Sequence, residues 1–394
     1  MRINLKIVFL LLISFHICAC TSENKANNET SSIEHHPVED RIPYFDRNHI
    51  RIKESSSANL FETFNYSSIR NYYQYFSSDL GYHLEGYLSD PLETEIISLH
   101  NERIILLDKK SSLLAEYNLN TDDQFTLATF GRGPGDIAYT SDIVSYNELI
   151  FIVMQDMRIS IFNCSVSPCA YEETIMLDRI SPMSITLIKE SNKIAIFGSI
   201  PISYPTDAII HESVSHGAIT IIDSNHNIIS NFGETYDYKA DWLLMLPFNQ
   251  GIVRYNGAEN QLISSFKRFP FVYVYDASNY NLIKSFNIKS FMQGKQLYDR
   301  DAKFLQVIRE SFSEIKQIKI FDNSVVIIEI INRYYQERKD YRNRWKTTFD
   351  YYLIELSTDK HTHLLETYND RRLFPAQHGY MAYINDNYYW FSYE

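Results

Sequence analysis

The amino-acid sequence predicts an all-β protein: a six-bladed β-propeller of four-stranded blades with one short helical insertion. Three observations lead there. Runs of five to eight residues rich in Ile, Val, Tyr and Phe alternate with Asn/Asp/Ser/Gly clusters, the signature of short strands and tight turns. The runs fall into groups of four, and in each group the second is the most apolar. Helical and strand-like patterns do not alternate, which removes a two-domain α/β architecture.

The first group is 95–100, 103–109, 112–119 and 125–131, and the second is 141–146, 148–154, 158–164 and 173–177. A third comprises 184–190, 192–199, 217–224 and 228–233, and a fourth 241–248, 250–256, 270–276 and 282–288. The fifth runs 314–322, 324–332, 349–357 and 363–368. Group starts are about 43 to 73 residues apart, and the shorter spacings match a four-stranded blade. A terminal pair, 379–386 and 387–394, is expected to be completed by N-terminal strands at 70–76 and 82–88. A ring closed by both chain ends leaves few free sheet edges. Ala302, Leu305, Ile308 and Phe312 fall on one helical face, so 297–315 is expected to be a helix inserted on the ring's face.

Residues 1–19 read as a signal peptide: Arg2 and Lys6 precede the apolar run Ile7–Ile13, which is too short for a permanent bilayer span. Ala19-Cys20 resembles a bacterial lipobox, which implies cleavage after Ala19 and lipidation of Cys20. Several acyl chains at about 0.8 kcal/mol per buried CH₂ anchor a protein stably. Residues 20–56 are polar and aperiodic, a flexible tether, and 57–394 remain for the propeller. The formal net charge of −12 argues against nucleic acid as a partner. Beyond the signal region only Cys164 and Cys169 remain, too few for a four-cysteine zinc site, and export favours a disulfide between them.

Three of the chain's 12 glycines sit in Gly131-Arg132-Gly133-Pro134-Gly135-Asp136. The spacing G-x-G-x-G lacks the third glycine of a dinucleotide fingerprint, and no Gly-Lys-Ser/Thr follows, so a phosphate loop is not favoured. Pro134 holds Gly133 extended, and the loop reads as a structural crossover from one blade's outer strand to the next inner strand. An FGRGPGD loop of this kind, its weaker echo Asn231-Phe232-Gly233-Glu234, the strand cadence and the lipobox together resemble the NHL/TolB-like six-bladed propellers found as lipoproteins in Bacteroidetes. The resemblance implies the fold and an outer-membrane lipid anchor, with the domain facing the periplasm or the cell surface; it implies no particular chemistry.

Propeller enzymes of the lactonase and lyase kind hold a divalent metal in the central channel through Asp, Glu, Asn or His from several blades. Asp142, Asp241, Glu314 and His378 lie near strand starts, but structural or solvated roles are the expectation. His361 and His363 are spaced to share one side of a strand and are expected to be exposed on an outer strand. The segment 333–346 concentrates Arg333, Arg338, Lys339, Arg342, Arg344 and Lys346 among Tyr334, Tyr335, Tyr341 and Trp345. It is the best local binding candidate, a hairpin with Arg338, Tyr341, Arg342, Arg344 and Trp345 toward an anionic glycan or acidic partner. The loop 200–217 is expected to cover a ring face, and its serines lack a nucleophile elbow. The reading is a membrane-anchored envelope protein that binds a glycan, peptide or partner protein through one propeller face, without a cofactor. The alternative is a metal-dependent propeller enzyme acting on a lactone or sugar.

Overall fold

The computed structural model describes residues 50–51, 53–54, 69–72, 94–199, 217–235, 250–292 and 312–393, with short interruptions. The chain is an all-β propeller of four-stranded antiparallel blades. Strands β1 (Ile50–Arg51), β2 (Lys53–Glu54) and β3 (Ile69–Tyr72) come first. The first blade is β4 (Thr94–Ser98), β5 (Arg103–Asp108), β6 (Leu113–Asn118) and β7 (Asp123–Ala128). The second is β8 (Thr140–Tyr146), β9 (Leu149–Met154), β10 (Arg158–Asn163) and β11 (Ala170–Met176). The third is β12 (Ser181–Ile188), β13 (Lys193–Ser199), β14 (Ile219–Ile222) and β15 (Ile228–Phe232). The fourth is β16 (Gly251–Asn256), β17 (Gln261–Phe266), β18 (Phe271–Asp276) and β19 (Leu282–Asn287). The fifth is β20 (Phe312–Asp322), β21 (Val325–Tyr335), β22 (Trp345–Glu355) and β23 (Lys360–Tyr368).

A further sheet has another make: β24 (Arg371–Ala376), β25 (Gly379–Ile384) and β26 (Asn387–Tyr393) pair in order, and β3 adds to β26. Blades of four consecutive strands therefore number five, not the expected six. The sheet shared by the chain ends takes three strands from the C-terminus and one from the N-terminus, where two of each were expected. Its first strand, β24, lies beside β4 of the first blade. The expected strand at 82–88 lies outside the described residues, as do 1–49 with the signal peptide and Cys20.

Why the strands read as nearly continuous apolar runs follows from the blade stacking. In β9, Ile150, Ile152 and Met154 pack toward Ile105 and Leu107 of the first blade, while Phe151 and Val153 pack toward Ile185, Ile194 and Ile196 of the third. The fourth blade repeats this division, Leu262 and Tyr273 facing the third blade and Ile263 and Val272 facing the fifth. Both faces of a middle blade are thus covered, so the alternation of a one-sided sheet is absent. Each fully buried side chain of this size contributes about 1.5–3 kcal/mol.

Two sequence expectations are corrected here. The helix expected at 297–315 is not present at its described end, because Phe312 to Ile315 open strand β20; residues 297–311 lie outside the described part. Of the four residues that carry the helical spacing only Phe312 is described, and it stands opposite Arg333 in a strand pair. The inner strand of the fourth blade is β16, and the second is β17, a segment not anticipated as a strand. Its Ser264 and Ser265 look like turn residues, yet both are buried, and the Ser265 hydroxyl donates to the Phe271 carbonyl at 2.7 Å. Residues 241–248 lie outside the described part.

Strand pairing also begins earlier than residue 57. Within the stretch expected to be a tether, β1 runs parallel to β19 and β2 parallel to β23, so one short segment covers outer edges of the fourth and fifth blades.

Candidate functional site

The inner strands β4, β8, β12, β16 and β20 lie next to one another around the axis, and near their N-terminal ends their polar side chains converge. Arg254 of β16 reaches past the third blade to Asp142 of β8, Nη1 to Oδ2 at 2.9 Å and Nη2 to Oδ1 at 3.1 Å. The same guanidinium donates to the Ser184 hydroxyl on β12 at 2.6 Å and to the Gln317 side-chain oxygen on β20 at 3.3 Å. Gln317 donates in turn to Glu95 of β4 at 2.8 Å. Lys109, at the end of β5, donates to Glu95 at 3.2 Å and to the Ser141 carbonyl at 2.7 Å. One connected polar hub thus joins all five blades. Asp142, Glu95 and Gln317 are buried, so each carboxylate needs its partner; an unpaired buried charge is costly.

Two further groups border the hub. Glu314 of β20 pairs with Arg268 at 3.3 Å. Burial pushes the Glu314 carboxyl up, but Arg268, Lys267 and Arg333 outweigh it and hold the group below the ordinary carboxylate value. Lys267, in the turn between β17 and β18, is half-buried and lies within electrostatic reach of Glu314, Lys109, Asp142 and Glu95. Burial pushes its ammonium below the ordinary lysine value, with Lys109 acting in the same direction.

The glycine loop leads from β7, the outer strand of the first blade, into β8, the inner strand of the second, on the hub side. The Asp136 carboxylate folds back into the loop and accepts from the Gly133 N–H at 2.9 Å. A Cβ on Gly131 would stand 2.2 Å from Asp136 Oδ2, so any other residue there must displace the Asp136 carboxylate. Gly135 has φ +81°, a left-handed conformation that glycine adopts without penalty. Arg158, held by Asp156, donates to the Gly131 carbonyl at 3.3 Å and ties the loop to the second blade. On this fixed loop Phe130 and Tyr139 meet edge to face, ring centres 6.0 Å apart, and remain 62% and 55% exposed. The Arg132 side chain is 70% exposed, approaching Asp156 only to 3.8 Å.

The basic hairpin enters the same face. Arg333 on β21 stands opposite Phe312, the first residue of the inner strand, and Tyr335 stands opposite Trp345 as β22 begins. Strands β21 and β22 therefore lead into and out of 336–344 on the hub side. Arg338, Tyr341, Arg342 and Arg344 lie outside the described residues, and Trp345 is described only in its backbone. Arg333 is not part of an exposed cluster; its guanidinium lies over the Phe312 ring, 5.7 Å from the centre.

Cys164 and Cys169 are joined, with sulfur atoms 2.06 Å apart. The first blade grips their loop. Glu116 accepts from the Cys169 N–H at 2.6 Å and the Ser167 hydroxyl at 2.7 Å, and Arg103 donates to the Val166 carbonyl at 2.8 Å. His361 corrects the expectation of two exposed imidazoles, since it is buried against Phe291, ring centres 4.6 Å apart. His363 is partly exposed and bonds Asp350 at 2.8 Å.

The residues around the axis do not fit a channel metal. Both Asp142 oxygens are taken by Arg254, Glu95 by Lys109 and Gln317, and Glu314 by Arg268, and these cations would repel a divalent ion. Among the described residues no three His, Cys, Asp or Glu side chains gather as ligands. Asp241, His378 and most of the loop 200–217 lie outside the described part.

At the opposite ends of β8 and β12, a cavity of about 150 Å³ opens between the second and third blades, lined by Phe151, Ile161, Ile175 and Ile194. Asp223 at its rim is satisfied by the Asn225 and Asn227 N–H groups.

No protein-family model matches the chain, and no curated protein does. The NHL/TolB-like resemblance therefore has no family match behind it. Among solved structures, an exported-protein candidate from Bacteroides fragilis superposes with TM-score 0.49 at 11% identity, over 88% of this chain and all of that one. A member of the duf4221 family from Bacteroides vulgatus gives TM-score 0.48 at 10% identity, over 76% of this chain and 91% of that one. A structural-genomics protein of unknown function from Bacteroides thetaiotaomicron gives 0.43 at 7% identity, over 77% and 70%. Among the described residues no helix is long and apolar enough to cross a membrane.

Proposed function

We propose that this chain is an envelope binding protein, lipid-anchored at Cys20, that recognises an acidic glycan through the hub-side face of its propeller. The observation that carries the reading is the exposed Phe130–Tyr139 pair, held on a loop with no slack and flanked by Arg132. Rigid aromatic side chains beside an arginine are the composition of binding hot spots, and aromatic faces stack on sugar rings. The basic segment 336–344 departs from the same face, which gives local positive charge to an acidic protein. The strap formed by β1 and β2 lets the tether leave from the outer rim of the fourth and fifth blades. The outer membrane, with the domain in the periplasm or at the surface, is the location that Cys20 favours.

Binding rather than catalysis fits the axis, where the acids are already paired with cations. A glycan array probed with the mature domain tests the reading: acidic glycans should be retained and neutral ones not. Capture of a peptide or protein partner alone, with no acidic glycan bound, would overturn it.

A further inference from the structure

The boundary between the second and third blades is not filled. Protein interiors pack densely, with few voids larger than a water molecule. Yet the cavity of about 150 Å³ opens there, at the end of the ring away from the glycine loop. Phe151, Ile161 and Ile175 of the second blade and Leu187 and Ile194 of the third give it apolar walls. An apolar cavity of this size holds a group as large as a benzene ring.

Charged side chains stand at the mouth, and some of them are already engaged within the protein. The Lys193 ammonium donates to the Tyr280 hydroxyl of the fourth blade at 3.2 Å. Asp223 accepts from the Asn225 and Asn227 N–H groups of its own turn at 2.8 and 2.9 Å. Two charges remain. Lys189, exposed just after β12, holds its ammonium over the Tyr146 ring, 5.4 Å from the centre, and Tyr146 itself lines the cavity. Its neighbour Glu190 turns instead to the Tyr255 hydroxyl. Glu173 lines the mouth from the other blade, exposed on β11 opposite Ile161. Among the described residues neither Lys189 nor Glu173 makes a salt bridge. An apolar hole is thus bordered by one uncommitted charge of each sign, one from each blade. A ligand with a single charge would meet a like charge as well as an opposite one, whereas a zwitterion meets a partner at both ends.

We infer that this cavity is a binding site for a free α-amino acid with an apolar side chain of about phenyl size. The side chain fills the cavity, the carboxylate pairs with Lys189 and the ammonium with Glu173. A peptide end supplies only one of these two charges, so the free amino acid is the better fit. The site is separate from the Phe130–Tyr139 platform, which lies at the other end of β8, and it stands independently of the glycan reading.

The test is isothermal titration of the full mature chain with L-phenylalanine, glycine, N-acetyl-L-phenylalanine and L-phenylalaninamide. L-Phenylalanine should bind, and glycine, which has no side chain to bury, should not. Blocking the ammonium or the carboxylate should each weaken binding about fivefold, the worth of one ion pair at a partly exposed site. Lys189→Met and Glu173→Gln should each weaken L-phenylalanine about fivefold with unchanged unfolding midpoints, since both side chains are exposed. Ile175→Phe should fill the cavity and abolish binding, and Phe130→Ala/Tyr139→Ala should leave binding as it is. A wild-type chain that does not bind L-phenylalanine overturns the inference, as do glycine bound equally well and both blocked derivatives bound as tightly as the parent. Undiminished affinity in both Lys189→Met and Glu173→Gln overturns it too. So does loss of binding in Phe130→Ala/Tyr139→Ala, which would move the amino acid to the other face.

Discussion

Arg254 and Asp142 form a two-pronged ion pair between the fourth and second blades, 112 residues apart in the chain, with the third blade's Ser184 held on the same guanidinium. Removing only one partner leaves a buried charge without compensation. Arg254→Met should therefore destabilise by about 3–5 kcal/mol, and Asp142→Leu by a similar amount. The double variant should recover a large part of that loss, because both charges are gone. Urea unfolding of the four proteins measures the coupling.

That pair also marks where sequence reasoning stops. Strands were legible because β-branched runs covered on both faces leave a strong pattern, as in β9 and β18. Asp142 and Glu314 could be singled out, since an acid precedes the first Ile of β8 and stands near the start of β20. Their partners could not. Gln317 lies 222 residues from Glu95, and no local pattern links residues that only ring closure brings together. Strand β17 was hidden by two buried serines, and the start of β20 by its place at the end of the helix-like spacing through Ala302, Leu305 and Ile308.

The glycine loop gives a sharper steric test. Gly131→Ala would place a methyl on the Asp136 carboxylate and should cost about 1–3 kcal/mol, as overpacking does. Shortening the obstacle with Asp136→Ala in the Gly131→Ala background should recover part of the loss. Gly135→Ala forces an L residue to φ +81° and should cost about 1–2 kcal/mol. Thermal unfolding with the single and double variants separates the two causes.

Acid should weaken the propeller through Glu314. Its folded-state carboxyl titrates below the ordinary 4.5, so the unfolded chain binds the proton more readily. The stability it contributes is fully present above about pH 4.5 and is lost as pH falls through the lowered folded value. Lys267 acts at the other end with the opposite sign of charge. Its folded pKa is depressed, so the unfolded state again holds more protons, and stability should rise with pH from that depressed value up to 10.5. Urea midpoints of wild type and Glu314→Gln across pH 3–7, and of wild type and Lys267→Met across pH 7–10.5, should show each slope diminished in its variant.

The Cys164–Cys169 bridge closes a short loop that the first blade grips through Glu116 and Arg103. Replacing both cysteines by alanine should cost about 2 kcal/mol by the loop-closure account. Glu116→Gln should cost more, about 3–5 kcal/mol, because it leaves Arg103 without its buried carboxylate. Unfolding with and without reductant checks the first figure.

The account turns on the hub-side face, and affinity for an acidic glycan before and after removal of its aromatic platform tests that most directly. Isothermal titration with trigalacturonate should give a measurable affinity for the wild-type domain. Phe130→Ala/Tyr139→Ala should weaken it by about tenfold or more, the equivalent of about 1.4 kcal/mol, with an unchanged unfolding midpoint. Equal affinity in the double variant, or no acidic glycan bound by the wild type, would contradict the account.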